Sequence, residues 1–250
     1  MLTTILAAGA SGSKFDILHA LNEGGVISWS TAIILTGMLF FSLYILFTKW
    51  FEQQKILNQG KRVRANFWAA GSLREGAAKL EKNSAYRQIV DDGITAQEEH
   101  KLLTDPVEAH DWVHGSLARS EASINSVLGG GLAFLATVGA TAPFIGLFGT
   151  VVGIFRALIK IGAAGDASIG TVAGPVGEAL IMTALGLVVA VPAVLAYNWL
   201  QARNKRIAEQ LGSFSNDVLG HLASDGRVRP AVKGAKAAPK APPVATTAKA

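Results

Sequence analysis

The chain contains no cysteine, which excludes disulfide frameworks, thiolate nucleophiles and Cys-ligated zinc or iron-sulfur centres. Charge is scarce as well: only 16% of the 250 residues are charged while 50% are hydrophobic, and mean hydropathy is +0.35. Soluble domains ordinarily carry about 25% charged residues, so a membrane protein is the natural reading. Phosphate-binding signatures are missing too. There is no G-x-x-x-x-G-K-[ST], and the GGG at 129–131 opens an apolar helical run with no strand before it. The start, MLTTILAAGASGSKF, lacks the positively charged n-region of a secretory signal, so a cleaved signal peptide is not expected.

The net charge of +5 does not point to nucleic acid, because its distribution is one-sided. Residues 201–250 hold nine Lys/Arg against three acids, and the rest of the chain sums to minus one. That surplus lies largely in GRVRPAVKGAKAAPKAPPVATTAKA, a Lys/Ala/Pro tail with too few large apolar groups to offset the ordering entropy of a fold. The tail (227–250) is expected to be disordered, with attraction to anionic membrane lipid its only electrostatic role. No nucleic-acid partner and no cofactor are expected.

Three apolar runs are long enough to cross a bilayer, whose core of about 30 Å needs roughly 20 helical residues. The reading is an all-α polytopic membrane protein with three transmembrane helices and long cytoplasmic helical extensions. Its segments are an N-terminal stretch (1–25), span one (26–47), a helical region (48–123), a helix containing span two (124–160), a turn (161–173), span three (174–200) and a further helix (201–226). FDILHAL, residues 15–21, reads as a short amphipathic helix at a membrane surface. The uncharged stretch from Ala122 to Phe155 covers 34 residues, about 50 Å of helix, so part of it must tilt or leave the bilayer.

Orientation follows from basic residues flanking the spans. Lys49, Lys55, Lys61, Arg62 and Arg64 follow the first and Arg203, Lys205 and Arg206 the third, while residues 161–170 have none. The basic ends are therefore cytoplasmic, and the N-terminus and the 161–173 turn periplasmic. Region 48–123 balances eleven basic against eleven acidic residues, as solvated, ion-paired helices do. A helix start is expected at TDPVEAHDW, with Asp105 as cap and Pro106 at the first helical position. DDGITAQEEH (91–100) is expected to be the turn between two long helices.

In span two, Gly139, Ala142, Gly146, Gly149 and Gly153 form a stripe in steps of three and four; in span three, Ala179, Thr183, Gly186, Ala190 and Ala193 do the same. Small residues let helix backbones approach closely in lipid. Packing of the two spans on each other and packing on further subunits both fit.

Neither accounts for Glu178. A carboxylate in hydrocarbon costs roughly 2.5 to 3.5 kcal/mol, so an intramembrane acid marks function by default. Burial would raise its pKa above the usual value of about 4.3 and allow proton exchange near neutral pH. The plain alternative places it in the first turn of span three, at the interface, favoured by the helix N-terminus. With the turn centred near Asp166, Thr150 and Thr183 fall at similar depth, and Glu178 about one turn further out. Two hydroxyls there could hold water or relay a proton, or each could bond its own helix backbone.

The segments GATAPFIGLFGTVVGIFRAL (139–158) and AGPVGEALIMTALGLVVAVPAVLAYN (173–198) resemble the ExbB/TolQ branch of the MotA/TolQ/ExbB proton-channel family, most closely the ExbB side. The resemblance implies an inner-membrane pentamer of this chain around a dimeric single-span ExbD- or TolR-like partner. Work driven by the proton-motive force would pass from it to a TonB- or TolA-like protein. It assigns Thr150, Glu178 and Thr183 to the lining of a proton-responsive pore. Arg156 and Lys160 depart from the family's expected pattern and are expected to snorkel to headgroups.

Other readings are weighed against this one. HDWVH places His110 and His114 one helical turn apart, echoing H-E-x-x-H, but with Asp for Glu and no third ligand in view. His19, His100 and His221 are expected on solvated faces. A passive membrane scaffold would use both small-residue stripes for assembly alone. A solute transporter is disfavoured, since three spans without an inverted repeat offer no midplane substrate site.

Overall fold

In a computed structural model the structure describes residues 17–104, 107–165 and 169–230; the side chains of Lys160 and Glu178 lie outside the described set. Among the described residues every regular element is helical: α1 (Ile17–Asn66), a 3-10 turn (Phe67–Ala69), α2 (Leu73–Ala78), α3 (Ala85–His100), α4 (Ala109–Gly129), α5 (Leu132–Ala164) and α6 (Ile169–Ala223). Three helical stretches, Gly25–Ala69, Ala109–Ala163 and Ala179–Ala223, include windows apolar and long enough to cross a membrane. The expected all-α, three-span architecture is therefore present.

Local chemistry explains where the helices break. Gly25 has φ 62° and ψ −154° inside α1, a backbone state that a Cβ would disfavour, so the residues before it, including the FDILHAL stretch from Ile17 on, form a separate helical piece. Gly131, at φ 82°, caps α5 and ends the run from α4. Gly165, at φ 68°, closes α5 and returns its N–H to the carbonyl of Ile161. The turn after α5 is shorter than 161–173, because α6 already begins at Ile169.

Two other expectations are corrected. Residues 91–100 are not a turn but the body of α3. Gly93 suggested a break, yet a Cβ there would lie 3.2 Å from both Leu117 and Leu222 side chains, so glycine serves close packing. The helix expected to begin at Asp105 and Pro106 begins at Ala109, with the Glu108 carbonyl accepting from the Trp112 N–H at 3.1 Å; residues 105 and 106 lie outside the described set.

The chain separates into two compact units, the first built from residues up to Gln53 together with Ser126–Lys205 and the second from Gln54–Asn125 together with residues from Arg206 on. In the first, Leu35 of α1 packs with Val138 and Ala142 of α5 and Val189, Ala190 and Ala193 of α6. A second cluster joins Leu132 and Leu135 to Ala196 and Leu200. Outward faces stay apolar: Phe40 is 67% exposed, Phe144 71% and Leu195 65%. A surface of that kind is covered by lipid or by neighbouring subunits.

In the second unit, Phe214 stands at 5.2 Å between ring centroids from both Phe67 and Tyr86, edge to face. Ile89, Val90, Leu117, Ile207, Leu211 and Val218 complete a buried core. Ser72 caps α2 by accepting from the Glu75 N–H at 3.2 Å, and the Glu75 carboxylate reaches back to the Gly71 N–H at 3.1 Å. These bonds satisfy helix-start donors that would otherwise face water.

Candidate functional site

The α5/α6 seam is built by what its residues lack. A Cβ added at Gly146 would fall 2.6 Å from the Met182 carbonyl oxygen and 3.1 Å from the Gly186 Cα, and one at Gly186 would fall 2.7 Å from the Ala142 carbonyl oxygen. The backbones therefore touch without side chains between them. Further along, a Cβ at Gly153 would meet Ala179 at 2.9 Å, and one at Gly139 would meet the Val194 side chain at 2.4 Å. Gly149 faces Met182 and the Thr31 methyl of α1, at 3.2 and 3.1 Å. Ala142, Ala179, Ala190 and Ala193 are all buried. Each step toward the end of α5 pairs with a step toward the start of α6, as antiparallel helices around one turn require.

At the middle of this seam the two threonines meet. Thr150 Oγ1 lies 2.6 Å from Thr183 Oγ1, 3.0 Å from the Ala179 carbonyl across the seam and 3.2 Å from the Gly146 carbonyl of its own helix. A hydroxyl has one proton to give and two lone pairs to receive with. Thr150 therefore donates to a carbonyl and accepts from Thr183. Thr150 thus bonds the backbone of its own helix, as the plainer reading expects, and also holds its partner.

Burial assigns them unequal parts. Thr150 is 4% exposed, a terminus of the bonding chain rather than a way through. Thr183 is half-buried, and with its proton given to Thr150 its own oxygen retains lone pairs for a water or another donor. Glu178 is placed by its backbone in α6, next to Ala179, whose carbonyl faces Thr150; its side chain lies outside the described set.

Two features near the ends of the first unit were not signalled by the sequence. Gln53, 0% exposed, donates through Nε2 to the Leu200 carbonyl at 3.0 Å and to Asn204 Oδ1 at 2.7 Å, while Asn204 Nδ2 donates to the Leu128 carbonyl at 3.0 Å. Lys49 adds a bond to the Val127 carbonyl at 2.8 Å, near the end of α4, where that carbonyl also accepts from the Gly130 N–H at 3.1 Å. Both lie in polar stretches where periodicity separates no buried amide from an exposed one. Arg156 is half-buried, with Nη1 2.7 Å from where a Cβ of residue 25 would stand. Lys160 lies outside the described side chains.

The remaining candidates do not assemble into a metal centre. His110 and His114 stack at 6.3 Å between ring centroids, and among the described residues no group of three or more His, Cys, Asp or Glu could hold a metal ion. His221 is not on a solvated face. It is buried, donates through Nδ1–H to the Val228 carbonyl at 3.0 Å and lies 5.7 Å from the Trp68 ring.

Known proteins share this layout in sequence. The family model of the MotA/TolQ/ExbB proton channel family matches residues 81–213. The biopolymer transport protein ExbB of Xanthomonas campestris pv. campestris (strain B100) is 38% identical over 248 residues, covering 90% of this chain and 98% of that protein. The ExbB of Neisseria gonorrhoeae is 58% identical over 88 residues, 35% of this chain and 40% of its own. The Tol-Pal system protein TolQ of Pseudomonas aeruginosa is 35% identical over 159 residues, 60% of this chain and 68% of its own. With matches of this extent and an all-helical fold carrying three membrane-length helices, the chain belongs to the MotA/TolQ/ExbB proton channel family.

Proposed function

We propose that this chain is an inner-membrane proton-channel subunit of the ExbB kind, using the proton-motive force to energise a TonB-type protein for outer-membrane import. The contact that carries the reading is the Thr150–Thr183 hydroxyl pair, set 2.6 Å apart in an otherwise apolar seam with Glu178 five residues before Thr183 on the same helix. Glu178 supplies the titratable group, Thr183 the half-buried oxygen that meets water, and Thr150 fixes that oxygen in place. One acid does not make a path across the bilayer. The rest comes from neighbouring copies, in a pentamer, and from an ExbD- or TolR-like single-span protein bearing a second carboxylate.

The N-terminus faces the periplasm and the C-terminus the cytoplasm in this proposal, as the basic flanks dictate. Energetically the scheme is sufficient: one elementary charge moved through 100 mV releases about 2.3 kcal/mol, so a few protons drive a conformational step without nucleotide hydrolysis. A TolQ-like role in outer-membrane integrity is the second reading, supported by the match to the Pseudomonas protein. Recovery of an ExbD-like rather than a TolR-like protein with the purified chain separates them.

The central test is Glu178→Gln, which keeps shape and removes titration. The expected result is loss of protonophore-sensitive import with normal membrane levels of the protein. Intact proton-dependent import in that variant defeats the proposal and leaves a passive scaffold.

A further inference from the structure

The helices α4 and α5 are not one continuous rod: α4 stops at Gly129 and α5 starts at Leu132, with Gly131 at φ 82° and no side-chain cap between them. Packing does not demand every glycine of this joint. A Cβ at Gly131 would lie 3.0 Å from the Ile45 side chain, but one at Gly129 would meet nothing within 4 Å. Glycine at 129 therefore weakens the last turn of α4 without serving a contact, since it is among the poorest helix formers. The local chain leaves the angle between that turn and α5 weakly specified.

What sets the angle comes from outside the joint. Lys49 Nζ of α1 donates to the Val127 carbonyl at 2.8 Å and is itself held by Glu52 at 2.7 Å. One residue on, Asn204 Nδ2 of α6 donates to the Leu128 carbonyl at 3.0 Å. Gln53 turns that amide the right way round. Its Nε2 gives both protons, to Asn204 Oδ1 at 2.7 Å and to the Leu200 carbonyl at 3.0 Å, so Asn204 presents its nitrogen rather than its oxygen to α4. Two consecutive carbonyls of the last α4 turn are thus tied to two other helices, all within the first unit. The tie also contains its own opposition. Gln53 Oε1 is buried with no hydrogen-bond partner among the described residues, and a buried acceptor left unpaired destabilises the arrangement that buries it.

We propose that residues 129–131 are a hinge at the start of α5 and that Lys49, Gln53 and Asn204 are its latch. Closed, the latch fixes the direction of the last α4 turn against α5; released, it lets that turn swing while the α5/α6 seam stays packed. The inference rests on the break and its bonds and is independent of the proton-channel reading.

The chain has no cysteine, so spin labels go only where cysteines are introduced. The test uses the full chain in lipid nanodiscs, labelled at Ser126→Cys in the last α4 turn and Phe144→Cys on α5, both exposed, and diluted into excess unlabelled chain. Pulsed dipolar spectroscopy should give one narrow distance distribution. Lys49→Met with Asn204→Asp keeps side-chain size and the acceptor for Gln53 but removes both donors to α4. That pair should widen the distribution about two-fold and speed amide exchange of residues 126–135 about ten-fold, the effect of losing one charge-assisted bond. Exchange around Thr150 and Thr183 should not change. Adding Gly129→Ala, whose methyl has open space, should narrow the distribution again by stiffening the turn. A distribution that does not widen overturns the proposal, because the joint then holds its own angle. Equal acceleration of exchange in the seam overturns it too, since the bonds are then general supports of the unit. So does a distribution that Gly129→Ala leaves wide, which puts the motion outside the joint.

Discussion

Along the α5/α6 seam, Gly146 and Gly186 let two backbones touch where a single Cβ would collide; in the second unit, Phe214 is wedged among the rings of Phe67, Trp68 and Tyr86. One interface is defined by absent side chains and the other by the largest ones. The solvents explain it. Between lipid tails there is no hydrophobic gain in bringing helices together, so close van der Waals contact and a few polar bonds must hold them. In water, burying aromatic surface is itself the dominant stabilising term. The same contrast governs polar groups: the seam has one hydroxyl pair at its centre, while the second unit is ringed by ion pairs such as Lys55–Glu81 and Lys79–Glu75.

The contrast is sharpest under truncation and insertion. Phe214→Ala removes a ring that three aromatic neighbours contact, and should cost about 3–5 kcal/mol, read as a lowered unfolding midpoint for the second unit by hydrogen exchange. Truncation in the seam is impossible at glycine, so the equivalent disruption is addition. Gly146→Leu puts atoms where the Met182 carbonyl lies 2.6 Å from the first of them, and overpacking of that kind should cost about 1–3 kcal/mol, seen as early aggregation on heating in detergent. Hydrogen-exchange protection of α3 should be unchanged. If the Leu substitution instead loosens both units alike, the separation drawn between them fails.

Much of the seam was legible in the sequence because lipid makes its demands in a short alphabet. Runs of about 20 apolar residues give spans, and glycine and alanine in steps of three and four give faces. Equal distance from the turn puts Thr150 and Thr183 at similar depth, and their hydroxyls meet at 2.6 Å. The second unit was legible only as helical and charged. Its core joins Phe67 and Trp68 to Phe214, residues far apart in the chain with no shared period, and nothing local marks Gly93 as a packing glycine rather than a turn. The kink at Gly25 escaped for a related reason: a lone glycine in an apolar run does not declare a break, and the Arg156 guanidinium beside it lies 131 residues further along the chain. The Glu178 carboxylate is the part of the site whose role rests on chemistry of residue type and position.

Smaller effects come from the hydroxyl pair. Thr183→Val removes the donor to Thr150 and Thr150→Val removes the acceptor, each expected to cost about 1 kcal/mol. Because both changes delete the same 2.6 Å bond, the double variant should fall short of the sum, a coupling measurable in a double-mutant cycle of thermal midpoints in detergent. Thr183→Ser keeps the oxygen and should retain proton-dependent import better than Thr183→Val. Strict additivity would mean the hydroxyls act only on their own backbones.

Smallest of all is the response of the second unit to acid, where its charged rim should matter and the seam should not. The Glu81 carboxyl is held below the ordinary carboxylate range by the Gln59 side-chain N–H and by Lys55, with Arg62 adding attraction, against an opposing effect of burial. Glu75 is lowered by Lys79 and by the Gly71 N–H. A depressed folded pKa contributes stability that is present above the unfolded value, about 4.3 for Glu, and is lost as pH falls through the folded one. Asp217 runs the other way: burial raises it, so its charged form opposes folding at neutral pH, and that opposition fades as pH drops toward its ordinary value. Glu81→Gln should therefore weaken the second unit slightly at neutral pH, with the difference closing below about pH 4, whereas Asp217→Asn should strengthen it slightly. The Glu81 effect should shrink in high salt, since the charges of Lys55 and Arg62 beside it are screened, whereas the Asp217 effect, which comes from burial, should persist. A shift of the same sign for both variants would show that net charge, rather than the local surroundings of each carboxylate, sets the acid response.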